Sequence, residues 1–313
     1  MIPTDKPHLN VAAHSHTGET RTNNEDRFSV TAYRMERTSV PALLAIVADG
    51  IGGHNAGEVA SDLTVETIVN RLTASRIAQP TLSLQQAILE ANDVVAKASR
   101  TNDAQQGMGS TVVTAWIIGS RLYTATVGDS RIYLLHDGSI RQISIDHTWV
   151  QEAIEHDIIQ PEQARDHPQA HVLRRYIGSQ IQTEPDIRLR MKDNESDKQS
   201  ESNQGMTLQT GDMLLLCTDG LTDLVEDEEI QQVLVEHDPL QAVERLTDMA
   251  LERGGHDNIT IVVLEVPQKS RRGFSKRSRT TQFMLWVVSL LGLGFLLGLG
   301  LAFIWSLGIW PWS

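Results

Sequence analysis

The sequence predicts an α+β protein of layered sheets and helix pairs, followed by one membrane-spanning helix. Three observations carry this. Short apolar runs bounded by Gly, Asp and Ser follow one another closely, as hairpin-linked antiparallel strands do. Helical patterns come in pairs between groups of strands, which favours separate layers over alternating βαβ units. Residues 283–309 hold no charge across 27 positions, and about 20 apolar residues suffice to cross a bilayer as a helix.

The strand set opens with "LNVAAHS" (9–15), "RFSVTAY" (27–33) and "ALLAIVAD" (42–49). Two helical patterns follow. Residues 56–74 bring Val59, Leu63, Ile68 and Leu72 near one face, and 83–99 do the same with Leu84, Ile88, Val94 and Val95. Three closely spaced strands come next, at 110–118, 121–128 and 130–138. Residues 147–180 carry charges and histidines with weak helix signals, and read as a mobile subdomain over the surface. "MKDNESDKQSESNQG" (191–205) has no apolar anchor after Met191 and reads as a disordered loop. Strands at 206–219 and 258–266 close the soluble part. Between them lies a helix over 239–253, opened by Pro239 and ended by Gly254 and Gly255.

Charge is divided along the chain. "KSRRGFSKRSR" (269–279) holds six of the 27 basic residues, and no acidic residue lies beyond 268. Residues 1–268 thus carry 21 basic and 40 acidic residues. So acidic a body speaks against nucleic-acid binding, where Lys and Arg must neutralise phosphates. The N-terminal "MIPTDKPHLN" lacks the apolar stretch of a signal peptide. The lone cysteine, Cys217, lies in an apolar run, which suits a buried thiol in a reducing compartment. The basic cluster before the apolar run, taken as a juxtamembrane linker over 269–282, places residues 1–280 on the cytoplasmic side of a cell membrane, crossed once. Trp286, Trp305, Trp310 and Trp312 sit where interfacial aromatics belong. The cluster also suits anionic lipid, and Gly294 and Gly298 offer a close-approach face for a weak dimer.

Carboxylates recur at strand ends. Asp49 ends an apolar run and precedes Gly50, Gly52 and Gly53. Asp219 stands likewise before Gly220, Asp129 follows a third run, Asp257 precedes a fourth, and Glu25 and Asp26 precede a fifth. A lone Asp-Gly is a common turn. Six acidic residues beside five strand ends point to convergence at one edge of a sandwich. Such a cluster repels itself unless cations intervene, and all-oxygen donors suit hard ions, Mg²⁺ or Mn²⁺.

The ordered set "GETRTNNEDRF", "VADGIGGHNAGEVAS", "GSTVV", "VGDSRIYLL", "DHT", "LRRYIGS", "GDMLLLCTDGLTD" and "HDNITIVV" resembles the bacterial metal-dependent protein phosphatases of the 2C family, over residues 9–266. The resemblance implies a four-layer αββα fold: a central antiparallel β-sandwich flanked by helix pairs, with a dimetal centre at one end. It implies that Asp49 bridges two Mn²⁺ or Mg²⁺ ions, that the Gly50 carbonyl ligates the first, and that Asp219 and Asp257 hold the second. Glu25 and Asp26 would assist. Asp129 and Asp219 would match a weaker third metal site, with Asp223 as a further candidate. Arg21 would grip the phosphate of a phosphoserine or phosphothreonine protein, and metal-activated water would attack phosphorus directly. Residues 148–172 correspond to the family's flap. The natural partners would be a membrane Ser/Thr kinase and its substrates.

One position departs from the pattern. Some members carry a histidine after the Asp-Gly as a proposed general acid, whereas Ile51 stands here and cannot protonate anything. His147 and His256 read more readily as structural than as catalytic, His54 reads at least as readily as a surface or helix-start residue, and Ser130 has no base placed beside it in any hydrolase pattern. Two other readings remain open on the sequence: a degenerate scaffold or sensor of the same fold, and a hydrolase acting on phosphotyrosine or a small phosphoester.

Overall fold

The computed structural model describes residues 1–268, apart from 37, 53–55, 75–78, 166 and 181–182. The expected basic linker and membrane helix, 269–309, lie outside the described residues, as does His54. Among the described residues no helix is long and apolar enough to cross a membrane.

The first half runs β1 (Ile2–Pro3), β2 (Asn10–His16), β3 (Arg27–Arg34), β4 (Pro41–Ala48), β5 (Gly50–Ile51), α1 (Ala56–Ala74) and α2 (Pro80–Thr101). Then come β6 (Gly109–Ser110), β7 (Val112–Ile118), β8 (Arg121–Val127), β9 (Arg131–His136), β10 (Ser139–Gln142) and α3 (Trp149–Glu155). The rest is α4 (Asp197–Ser202), β11 (Met206–Thr207), β12 (Met213–Cys217), α5 (Asp219–Thr222), α6 (Asp227–Glu236), α7 (Pro239–Glu252) and β13 (Ile259–Glu265).

These strands form the expected sandwich. One sheet has the order β1-β3-β4-β7-β8-β11 and the other β10-β9-β12-β13-β2; β5 and β6 pair separately at one end. Neighbouring strands are antiparallel, as in β4 with β7 and β12 with β13. Strand β4 shows why "ALLAIVA" is apolar without a break. Leu43, Ala45 and Val47 join the layer between the sheets, with Ile132, Leu216 and Val262. Leu44 and Ile46 point the other way, onto Ile68 and Leu72 of α1 and Leu84 and Ile88 of α2. Alternate side chains face opposite sides of a strand, so a central strand covered on both faces must be apolar throughout. The second sheet is covered similarly, with Leu215, Ile261 and Val263 packed on Ile230 and Leu234 of α6 and Leu246 and Ala250 of α7. The four layers are therefore helix pair, sheet, sheet, helix pair.

Local chemistry sets the helix limits. Pro80 and Pro239 occupy first turns, where a missing N–H costs nothing. Asp238 caps α7 by accepting from the Gln241 N–H at 3.0 Å, and the chain leaves through Gly254 at φ +111°. Helix α6 was not among the expected helices. It is ten residues long, begins with three acids and buries only Ile230, Val233 and Leu234, too short a stripe to stand out.

Two further expectations are corrected. The run 206–219 is not one strand: β11 pairs with β8 in one sheet, the chain turns at Gly211 (φ +91°), and β12 enters the other sheet. The stretch 191–205, expected to be disordered, contains α4, opened by a reciprocal Ser196–Gln199 capping box and with Ser200 buried. Its anchor is polar. The Gln204 amide accepts from the Thr124 N–H and donates to the Thr124 and Ile187 carbonyls, all at 2.8–2.9 Å, and the Asn203 amide donates to the Leu189 carbonyl. Side-chain amides take the place of a strand's backbone groups, so no apolar residue was needed.

Apolar burial is shared among the inter-sheet layer and the two sheet–helix layers, and Leu44 lies in the layer beneath α1 and α2. Leu44→Ala, at a fully buried position, is expected to lower unfolding stability by about 2–5 kcal/mol, read as a shift in the urea midpoint at unchanged denaturant slope.

Candidate metal centre

The expected acidic residues leave the sandwich at the same end. Asp49 follows β4 directly, and its backbone is clamped: Asp49 N–H donates to the Thr111 hydroxyl (3.1 Å), while its carbonyl accepts from Thr111 N–H (2.8 Å) and the Ser110 hydroxyl (2.9 Å). Asp219 follows β12 and begins α5. Asp26, 2% exposed, accepts from the Thr218 hydroxyl at 2.9 Å. Asp257, just before β13, pairs with Arg21 at 2.7 Å.

The glycines serve close approach. A β-carbon on Gly57 would stand 2.7 Å from the Gly50 carbonyl oxygen and 2.8 Å from Glu25 Oε2. The two oxygens, both expected metal ligands, thus converge over a bare α-carbon at the start of α1. Asn258 fixes the loop that carries Glu25: its side-chain oxygen accepts from Glu25 N–H (2.7 Å), and its amide donates to the Thr17 and Asn23 carbonyls (2.8 and 3.0 Å). The Ser61 hydroxyl donates to the Glu25 carbonyl.

The electrostatics are those of like charges crowded at a buried edge. Burial, then repulsion from Asp26, Asp219, Asp129 and Asp257, holds Asp49 well above the ordinary carboxylate range. Burial, then repulsion from Asp129, Asp223, Asp257 and Asp26, does the same to Asp219. Burial pushes Asp26 up to about 6 and Asp129 up to about 7, and raises Glu25. Asp26 Oδ1 and Asp219 Oδ1 are buried without a hydrogen-bond partner. Orphaned carboxylate oxygens in an all-oxygen cluster fit hard divalent cations. The ligand atoms of His171, Asp219 and Asp223 lie within 4.8 Å of one another, the one such trio among the described residues. Asp26 and Asp257 are near enough to repel the charge on Asp219, and Asp219 repels that on Asp49.

Other candidates fall out as follows. His147 is buried; its Nδ1 accepts the Gly128 N–H at 3.0 Å, so Nε2 carries the proton and donates to Asp186 at 3.2 Å. Burial opposes the charge on Asp186, but hydrogen bonds from His147 and Arg188 hold its carboxyl below the ordinary range. His147 thereby supports the turn bearing Asp129. The Ser130 hydroxyl is buried against Thr111 at 2.7 Å. Ile51 lies in β5. The His256 carbonyl accepts from the Thr20 hydroxyl, and its ring stands 3.8 Å from Asp223. The segment 148–172 reaches over this end: Arg165 donates to the Thr222 and Asp223 carbonyls and pairs with Glu226. With Asp129, Asp219 and Asp223 it encloses a cavity of about 350 Å³.

Sequence reasoning missed Gly57, Asn258, Thr218 and His171. The first three sat inside quoted motifs, "AGEVAS", "HDN" and "CTDG", where only their neighbours were assigned roles. His171 had no motif.

A double antiparallel sandwich between helix pairs, ending in a buried carboxylate cluster beside an exposed arginine, defines the class of metal-dependent protein phosphatases. The family model for protein phosphatase 2C matches residues 12–253, and the chain belongs to that family. It is 35% identical over 258 residues to the serine/threonine protein phosphatase PstP of Mycobacterium tuberculosis, covering 82% of this chain and 45% of that one. The matched region thus spans under half the length of that relative. It is 34% identical over 264 residues to the serine/threonine phosphatase stp of Listeria monocytogenes, covering 81% of this chain and 95% of the relative. The structure of the PstP catalytic domain in complex with two manganese ions superposes with a TM-score of 0.67 at 33% identity, over 83% of this chain and 99% of that one.

Two outcomes follow. Gly57→Ala is expected to weaken Mn²⁺ binding at least about tenfold, the low end for a group that orients a metal ligand, read by calorimetric titration. In EDTA the fold is expected to lose stability as pH rises. Carboxylates whose folded pKa values lie above the unfolded value near 3.8 bind protons more tightly when folded. Their contribution is full below about 4 and lost through about 6–7 for Asp26 and Asp129. Thermal melts should show a higher midpoint at pH 5 than at pH 8, with Mn²⁺ restoring stability at pH 8.

Proposed function

We propose that the chain is a membrane-tethered phosphoserine/phosphothreonine protein phosphatase. The observation that carries this reading is the buried, partnerless carboxylate oxygens of Asp26 and Asp219, gathered with Asp49 and Asp257 beside Arg21. Glu25, Asp26, Asp49, the Gly50 carbonyl, Asp219 and Asp257 would hold two Mn²⁺ or Mg²⁺ ions, and Asp129 would serve a weaker third. When bound, such ions supply Lewis acidity toward phosphoryl oxygens and lower the pKa of water.

The chain's own groups define the rest. The Arg21 guanidinium, about half exposed, presents a planar fork suited to two phosphoryl oxygens. No side-chain nucleophile is offered by the buried serine or thiol near the cluster: Ser130 is engaged by Thr111, and burial pushes the Cys217 thiol far up. The resemblance to the family makes water the nucleophile, with hydrolysis proceeding without a covalent enzyme intermediate. Ile51 leaves the leaving-group proton to water or another group.

The membrane tether rests on the uncharged run 283–309 and the basic cluster before it. It would hold the catalytic domain at the cytoplasmic face, near anionic lipid and near a membrane Ser/Thr kinase and its phosphorylated substrates. The Gly294/Gly298 face would support a weak dimer.

The test is phosphate release from a phosphothreonine peptide by the full chain. Activity is expected with Mn²⁺ or Mg²⁺ and none in EDTA. Asp49→Ala and Asp219→Ala should each lower it at least about tenfold. A wild-type chain inactive with both metals across several phosphopeptides would favour a binding role for the fold.

A further inference from the structure

We propose, resting on the metal-binding reading above, that Arg27 is a positioning residue: its guanidinium ties the chain on both sides of Glu25 to the start of α1, and so sets where Glu25 and Asp26 stand. Four of the five guanidinium N–H groups are engaged. Nη1 donates to the Asn24 carbonyl at 2.9 Å and to the Asp26 carbonyl at 2.7 Å. Nε donates to Asp62 Oδ1 at 2.6 Å, and Nη2 to Glu58 Oε1 at 2.5 Å. One planar group thus bridges two stretches of chain, the approach to β3 and the first two turns of α1.

The two carbonyls flank Glu25, so fixing both limits rotation of the peptide units on either side of it. The backbone of Glu25 itself is held from other directions. Its carbonyl accepts from the Ser61 hydroxyl of α1 at 2.5 Å, and its N–H donates to Asn258 Oδ1 at 2.7 Å. The helix end of the tie matters equally. Glu58 follows Gly57, the bare α-carbon over which Glu25 Oε2 and the Gly50 carbonyl converge. Arg27 therefore joins an expected ligand to the very turn that makes room for it.

Charge and geometry pull in opposite directions here. A guanidinium beside a cation site repels the cation, so Arg27 acting through charge alone would weaken metal binding. Glu58 and Asp62 offset that charge, and the fork remains as its contribution. The side chains are 27%, 38% and 55% exposed for Arg27, Glu58 and Asp62. Ion pairs of such exposure add little to fold stability, which separates aiming a ligand from holding up the fold. Lysine keeps the charge but carries its donors on one nitrogen, without the planar fork that reaches both stretches.

The test is calorimetric titration of the full chain with Mn²⁺, beside thermal melts in EDTA. Arg27→Lys and Arg27→Gln are each expected to weaken Mn²⁺ binding at least about tenfold, with melting in EDTA close to wild type. Arg71→Lys is the control. Arg71 pairs with Glu90 at 3.0 Å and ties α1 to α2 instead, so its variant should bind Mn²⁺ as wild type does. Wild-type affinity in Arg27→Lys, or tighter binding in Arg27→Gln, shows an effect of charge alone and overturns the proposal. An equal loss in Arg71→Lys, or a sharp fall in the EDTA melt of Arg27→Lys, shows general loosening and overturns it too. A wild-type chain that binds no Mn²⁺, or an Asp49→Ala variant that binds it as well as wild type, overturns the metal-binding reading and this role with it.

Discussion

Mutual repulsion among buried carboxylates is the constraint around which this molecule is arranged. Asp26, Asp49, Asp129 and Asp219 each sit where burial and like charge disfavour ionisation. A loose framework would relax by letting the groups drift toward water. Here it cannot. Asp49 and Asp219 leave β4 and β12, interior strands paired on both sides and packed on both faces. To separate the two carboxylates, ladder pairs and core contacts on several elements would have to break together. The sandwich thus holds the carboxylates in a geometry whose repulsion is relieved by protonation or by an added cation.

Rigid strands place the backbone, but the site also needs its side chains and loops aimed. That task falls to small polar groups bonded to main chain. Thr111 and Ser110 clamp Asp49, Thr218 holds Asp26, and Asn258 ties three points of the 17–25 loop to the start of β13. The His147–Asp186–Arg188 chain supports the Gly128–Asp129 turn from behind. Each bond satisfies a buried donor or acceptor that would otherwise be left unpaired, at about 1–3 kcal/mol apiece. Losing one therefore misplaces a ligand as well as removing a contact.

These layers differ in how far they could be read from sequence. The strands and long helices announce themselves through apolar period, and β4 through its unbroken run. Acids at strand ends announce the cluster because Asp is poorly suited to finish a buried strand without a reason. Polar anchoring is quieter. Gln204 completes a sheet edge and Asn258 orders a loop, yet both are amides of a kind found throughout turns. Only the partner's position gives them meaning. Helix α6 failed for a different reason, since three buried positions in ten residues do not separate a helix from a loop. His171 depends wholly on tertiary placement: its segment crosses to Asp223, 52 residues further along the chain, and no local pattern records that.

The pairing of Arg21 with Asp257 bears on how the site could accept an anion. Asp257 is an expected metal ligand, and Arg21 an expected phosphate donor, so the contact between them engages both groups with each other. Were the pair buried, separating it would leave an uncompensated charge and cost several kcal/mol. It is not: the side chains are 52% and 30% exposed, and a pair of that kind contributes about 0–1 kcal/mol. A phosphoryl group offers the guanidinium a bidentate partner of higher charge, and a cation offers the carboxylate a stronger one. Either arrival weakens the resting contact and releases the other group, so anion and cation binding at this end of the sandwich favour each other.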